Sequence, residues 1–378
     1  MAIVKLNFFG DFCVKQLNNL NFSDSLMTLL SDADMNIVNL ESPINLHSYS
    51  PSKKSGPHHY QDSKVPAFLE SHHFNFISLA NNHAMDYGED ALYDTIQSFH
   101  SAKTIGAGSF EDAYKIVVNN INGIRIGFIA ISQFEFGIID NINTRNTGVA
   151  WLCHPIVDEI IREAHKTCDY LFVLPHAGLE RFEYPLPEIR LLYRHFISMG
   201  ADGVIGGHPH IAQCWELFNN RPIIYSLGNF CFDTPKSTDS WYKSLIASIT
   251  IDDNGLKLDV KKSNFDREKR IVSLIQDSNF ENRLTEMNDT FKDEGKYLTI
   301  VNEKCLSLEN YYNDIFEMSG FYHLNKKKLM RLLIRNIIDT FSTKRKNSED
   351  DTHFINNIRC ETHRWILSRI YELKNQIK

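Results

Sequence analysis

The 378-residue chain has no C-x-x-C pair: its seven cysteines, at 13, 153, 168, 214, 231, 305 and 360, are odd in number and scattered. That pattern argues against a disulfide framework or a structural zinc site and points to a reducing compartment. No run of about 18 uncharged apolar residues occurs. The opening MAIVKLNFFGDFCV has one lysine and an apolar run broken by Asn7 and Asp11, unlike a secretory leader. These absences give the expectation of a cytoplasmic protein with no transmembrane anchor. An excess of positive charge is missing as well, with 40 Lys+Arg against 47 Asp+Glu. Residues 261–378 hold 22 basic against 18 acidic side chains, which leaves residues 1–260 at −11. An acidic body of that kind speaks against a nucleic-acid surface there.

What is present is enough apolar material for a sizeable core, at 43% hydrophobic and 12% aromatic. The length and the charge split suggest one large domain with an appendage. Residues 1–262 alternate short β-branched runs with helical segments. IVKLNFF, NIVNLE, NFISLA, CDYLFVLP and DGVIGG read as strands; SDSLMTLLSDA, VPAFLESHH, GEDALYDTIQSFHSA, HPIVDEIIREAHKTC and PEIRLLYRHFISMG read as helices. Asn122-Gly123 supplies the positive-φ pair of a tight hairpin, and two more hairpins follow at WELFNNRPIIYSLGNF and SLIASITIDDNGLKLDV. The pattern predicts an α+β, αββα arrangement: a mixed-sheet sandwich with helices outside. From about residue 263 the strand signal fades, and residues 263–378 read as a helical C-terminal extension.

Chemistry-bearing residues stand after the apolar runs. IVKLNFF is followed by Gly10-Asp11 and NIVNL by Glu41. NFISLA leads into Asn81-Asn82-His83 with Asp86 behind, and YLFVLP into His176 and Glu180. DGVIGG delivers His208 and His210, and PIIYSL ends at Gly228-Asn229. The carboxyl ends of parallel strands share one edge, where ligands bind in open α/β sheets. Two carboxylates, one carboxamide and four imidazoles would then converge. Such oxygen and nitrogen donors suit Mn, Fe or Zn. Two divalent ions roughly 3.5–4 Å apart can hold both the attacking and the leaving oxygen of a phosphoryl displacement.

The motifs FFGDF, NLESPI, ISLANNHAMDYG, IGAGSFEDAYK, NGIRIGF, LPHAGLE, GADGVIGGHPH and IIYSLGNFCFD span most of residues 3–235. In them the chain resembles the capsule-synthesis CapA family, the poly-γ-glutamate synthesis proteins, a branch of the calcineurin-like metallophosphatase superfamily. The resemblance implies a β-sandwich flanked by helices, with Asp11 and His210 on a first metal and Glu41 bridging. Asn82, His176 and His208 would bind the second metal. It implies His83 as general acid, with Asp86 either orienting it or capping a helix, and Glu180 holding His176. Asn229 would either meet substrate or form a turn. Cys13 stands where superfamily phosphatases usually supply a first-strand histidine. Ala177 stands where the family usually has an aromatic residue.

The resemblance implies a metal-dependent phosphoesterase-type hydrolase linked to capsule or surface-polysaccharide biosynthesis, using a metal-bound hydroxide on an anionic small-molecule or polymer substrate. Two alternatives stand beside it: a non-catalytic metal-binding accessory protein in polyglutamate or glycan assembly, and a nuclease or phosphodiesterase, which the acidic body disfavours. The stretch KKKLMRLLIR in the tail reads either as a packing helix, including in a homo-oligomer or against surface-polymer synthesis partners, or as an anion-docking face.

Overall fold

The computed structural model describes residues 3–318 and 348–375, apart from residues 45, 48, 143–144 and 236–237. Two compact units emerge: Met1–Ser52 with His58–Leu298, and Lys53–Pro57 with Thr299–Lys378. The basic stretch 326–335 lies outside the described residues.

The first unit is built on two large sheets. One has nine strands and centres on Val4–Cys13, which pairs in parallel with Met35–Leu40 and with Asn229–Phe232, and antiparallel with Lys243–Asp252. Phe76–Ser78 and Lys103–Ile105 extend it in parallel beyond Met35–Leu40. The other sheet runs in the order Trp215–Phe218, Arg221–Ile224, Gly203–Ile205, Tyr170–His176, Ile124–Ser132, Val117–Ile121. Its four central strands are parallel. Strands buried on both faces read as near-continuous apolar runs, which is what FFGDF and YLFVLPH are.

The sheets pack face to face through aromatic rings. Phe8 lies 6.1 Å from Phe128 and 5.2 Å from Phe172, and Phe76 lies 4.8 Å from Phe128. Helices cover the outer faces. Pro187–Met199 lies over the second sheet; Pro187 opens it with a φ already suited to a helix, and Gly200 closes it at φ 124°. Asp24–Ser31, capped by the Ser23 hydroxyl, packs on Ile271–Leu274 of the first sheet. The expected sandwich with outer helices is thus present, and the hairpin at Asn122 (φ 54°) and Gly123 (φ 87°) forms as its sequence requires.

The sheet runs past residue 262. Gly255–Asp266 pairs antiparallel with Ile271–Leu274 around a turn in which Arg270 adopts φ 55°. The strand signal there is weak because only Ser263, Phe265 and Val272 are buried among charged neighbours. Ser278–Lys292 also belongs to this unit. It is capped by the Asp277 carboxylate and buries Phe280, Leu284, Met287 and Phe291 at helical spacing. Beyond the loop Lys53–Pro57, the described part of the second unit includes the helices Glu309–Met318, Ser348–Arg359 and Glu361–Asn375. No helix among the described residues is long and apolar enough to cross a membrane.

Candidate metal centre

Asp11 lies near the end of the central strand because the chain there must pass close to another backbone. A Cβ on Gly10 would lie 1.8 Å from the Gly228 carbonyl oxygen, and the Asp11 N–H donates to that same oxygen at 3.0 Å. Only glycine permits the approach. Met35–Leu40 delivers Glu41, and Phe76–Ser78 leads through a short loop to Asn82 and His83. From the second sheet, Tyr170–His176 ends on His176, and Gly203–Ile205 leads into His208 and His210. The strand-end pattern predicts one sheet edge for these groups. They instead come from the carboxyl ends of two sheets that open at the same end of the sandwich.

The histidines either side of Pro209 hold unusual backbone conformations, φ 97° at His208 and 61° at His210. Such left-handed geometry costs on the order of 1 kcal/mol or more for a side-chain-bearing residue and concentrates at functional sites. It turns both imidazoles into the cluster.

One ligand atom from each of Asp11, Glu41 and His176 lies within 4.8 Å of the others. His210 Nδ1 is 3.6 Å from Asp11 Oδ2, and its Nε2 is 3.6 Å from Glu41 Oε1. His176 Nε2 is 3.9 Å from Glu41 Oε1 and 3.2 Å from Asn82 Oδ1. The His176 and His208 rings are 4.9 Å apart. Asp11, Glu41, Asn82, His176, His208 and His210 are all buried. The structure brings every residue expected as a ligand to one place.

Burial dominates the electrostatics. It pushes the Asp11 carboxyl up, against the opposing pull of His210 and the Asn39 amide, and pushes Glu41 well above its usual range, with Asp11 adding to the effect. The same desolvation holds His176 well below the ordinary imidazole value and His208 down to about 4. Asp11 Oδ2 and both Glu41 oxygens are buried with no hydrogen-bond partner among the described residues. Buried acceptors left unmatched are costly, and cations would match them. The donor set of carboxylate, carboxamide and imidazole fits Mn, Fe or Zn.

His83 stands beside this cluster, its Nδ1 2.8 Å from Asp86 Oδ2. That oxygen also accepts the His59 N–H at 2.7 Å, so Asp86 orients His83 and caps no helix. Asn229 is buried, and its Oδ1 lies 3.0 Å from His210 Nδ1. An Nδ1–H bond there leaves the Nε2 lone pair on the Glu41 side. Glu180 makes no hydrogen bond to His176. The chain turns at Gly178 (φ 130°) and sets Glu180 at the exposed mouth. Crowding by protein raises its pKa, but His210, His208 and His83 outweigh that and hold it below the ordinary value. Cys13 is buried with Sγ 3.6 Å from the Ser42 hydroxyl, and desolvation pushes its thiol upward, so it packs as a small apolar side chain. Ala177 is buried in the wall.

The groups that hold the ligands were not read from the sequence. Asn39 donates to Asp11 Oδ1 at 2.8 Å and lies 3.4 Å from His176 Nδ1. Asn81 donates to Asn39 Oδ1 and to the Leu40 carbonyl, and its own Oδ1 accepts the His83 N–H. Gln133 Nε2 is 2.9 Å from His208 Nε2 while its Oε1 accepts the Gly178 N–H, and Glu135 Oε1 lies 3.6 Å from His208 Nε2. Gln133 follows the strand Ile124–Ser132, so the strand-end rule that found the ligands also reaches it.

A two-sheet sandwich flanked by helices gathers carboxylates and imidazoles where both sheets end. The chain belongs to the bacterial capsule synthesis protein PGA_cap family, whose model matches residues 9–234. It is 30% identical over 217 residues to the capsule biosynthesis protein CapA of Bacillus anthracis, covering 54% of this chain and 52% of that one. Its identity to the PGA biosynthesis protein CapA of Bacillus subtilis is 30% over 246 residues, 61% of this chain and 64% of that one. The chain thus spans between half and two thirds of these relatives. Among solved structures, a putative 5'-nucleotidase from Staphylococcus aureus is similar with a TM-score of 0.47 at 16% identity, over 77% of this chain and 58% of that one.

Proposed function

We propose that this chain is a metal-dependent phosphoesterase-type hydrolase serving capsule or surface-polysaccharide biosynthesis, acting on an anionic small molecule or polymer. The observation that carries the reading is the set of buried, unmatched acceptors on Asp11 and Glu41, ringed by His176, His208 and His210. Two divalent ions, with Glu41 between them, would fit that set. Divalent cations there supply charge for a phosphoryl oxygen and lower the pKa of a water to about 7. Asp11 and His210 would hold one side; Asn82, His176 and His208 would hold the other. Asn39, Asn229 and Gln133 fix the orientation of Asp11, His210 and His208. Asp86 accepts from His83 Nδ1, which keeps the transferable proton at Nε2, where His83 serves as general acid to a leaving oxygen.

One observation favours a second reading, a metal-binding accessory protein without turnover. Cys13 occupies the position of the usual first-strand histidine and is turned to Ser42. The side of the cluster held by Asp11 and His210 therefore has fewer donors. Metal analysis with a panel of phosphomonoesters and phosphodiesters in Mn separates the two. The hydrolase reading expects His83→Ala to abolish turnover with metal content retained, and His208→Ala to lose metal. Metal-loaded wild-type protein inert across the panel would leave the accessory reading standing.

A further inference from the structure

Beyond the cluster, a line of rings leads away from His83. The His59 ring lies 4.5 Å from that of His83 and 5.5 Å from that of Phe232. Phe232 lies 5.4 Å from Trp241, and the Arg181 guanidinium sits over Trp241 at 5.6 Å. The wall therefore begins at the residue assigned to protonate the leaving oxygen and ends on a cation. It also borders the metal cluster along its length, since His210 lies 5.1 Å from Phe232 and 4.8 Å from Trp241. The guanidinium is thus within about 10 Å of the His210 ring.

Arg181 is held there by its backbone. Its φ is 54°, a left-handed conformation that a side-chain-bearing residue adopts at a cost. The Arg181 N–H donates to the carbonyl of Pro209, the residue between His208 and His210, at 2.9 Å. The side chain is exposed and forms no ion pair with a carboxylate among the described residues. Its sequence neighbour Glu180 lies close to His210, His208 and His83 and forms no hydrogen bond or ion pair with Arg181. A guanidinium anchored beside Pro209, set over an indole and making no ion pair with a carboxylate among the described residues, is suited to grip a carboxylate or phosphate through paired N–H donors.

The geometry points to Arg181 as a specificity-determining residue that binds a second anionic group on the leaving side of the substrate, a carboxylate or a phosphate, along the wall formed by His59, Phe232 and Trp241. The inference rests on the hydrolase reading for which side is the leaving side. It restricts the substrate class to phosphoesters or phosphoanhydrides whose leaving group carries its own negative charge, and excludes a preference for neutral alcohols.

Calorimetric titration of the Mn-loaded full chain with three probes tests it: inorganic phosphate, inorganic pyrophosphate and 3-phosphoglycerate. Arg181→Ala should weaken pyrophosphate or 3-phosphoglycerate about ten- to a hundredfold, the loss of a hydrogen-bonded charge pair, and leave inorganic phosphate within about twofold. Arg181→Lys should recover part of the loss, and Mn content should stay at the wild-type level in both variants. A larger effect on pyrophosphate identifies a phosphate as the second anion; a larger effect on 3-phosphoglycerate identifies a carboxylate. Equal losses for all three probes, or none, would overturn the assignment of Arg181 and leave the metal reading intact. Wild-type protein that binds Mn but none of the three would overturn both.

Discussion

Replacing Glu41 with Gln should separate the cost of the empty cluster from its gain on binding metal. Glu41 is fully buried, neither of its oxygens accepts a hydrogen bond among the described residues, and Asp11 is its closest source of like charge. Glutamine keeps the shape and removes the charge. In chelator, the variant should match wild type within about 1 kcal/mol at pH values where Glu41 is protonated, and be up to about 3 kcal/mol more stable above its raised pKa, where wild type must hold an unpaired buried carboxylate. In Mn at a hundred times its dissociation constant, wild type should gain about 2.7 kcal/mol. At roughly 2 °C per kcal/mol for a unit of this size, that is a rise of about 5 °C in Tm. The variant, without the shared carboxylate, should show almost none of it. Differential scanning calorimetry in chelator and across an Mn series reads both quantities. A variant that is several kcal/mol less stable in chelator would show that Glu41 is a structural acceptor. An unchanged Mn shift would show that the carboxylate does not touch the ion.

Two further outcomes follow from the same geometry. Mn binding should release protons from the carboxylates and none from His208 or His176. Both imidazoles are held neutral at pH 7, His208 by a pKa of about 4, whereas burial raises Glu41 and Asp11. Apparent affinity should therefore climb as pH rises through the raised carboxyl range and level off above it; calorimetry in two buffers of different ionisation enthalpy counts the protons. Asn39→Ala should weaken Mn about 10- to 100-fold through loss of the bond that aims Asp11, with little change in chelator stability beyond about 1 kcal/mol. An unchanged Mn affinity in that variant would remove Asn39 from the account.

The clustered residues were legible because chemistry accumulates where apolar runs stop: Gly10-Asp11, Glu41, Asn82-His83, His176 and His208-Pro209-His210 all lie at or just beyond strand ends. The sandwich was legible from the alternation of helix and strand. Which strand enters which sheet was not, since the pairing of Val4–Cys13 with Asn229–Phe232 and Lys243–Asp252 joins residues more than two hundred positions apart. Short-range pattern carries no trace of such partners. The pair Gly255–Asp266 and Ile271–Leu274 was hidden for a different reason, because Lys257, Asp259, Lys261, Lys262 and Asp266 interrupt the apolar pattern of its longer strand. Glu180 was assigned to His176 by motif, but the positive φ at Gly178 sends it to the mouth. The amides of Asn39, Asn81 and Gln133 were overlooked because a neutral side chain next to a ligand looks like any other polar residue until its hydrogen bonds are seen. The wall ending in Trp241 and Arg181 joins two segments with no shared motif.

Diffraction from crystals of the full chain grown in Mn, with anomalous data collected at the manganese edge, tests the central claim most directly. Anomalous density should appear enclosed by Asp11, Glu41, Asn82, His176, His208 and His210, with a Glu41 oxygen within ligand distance of each ion found. Those side chains arranged as here with no anomalous density among them, while Mn binds elsewhere or not at all, would contradict it.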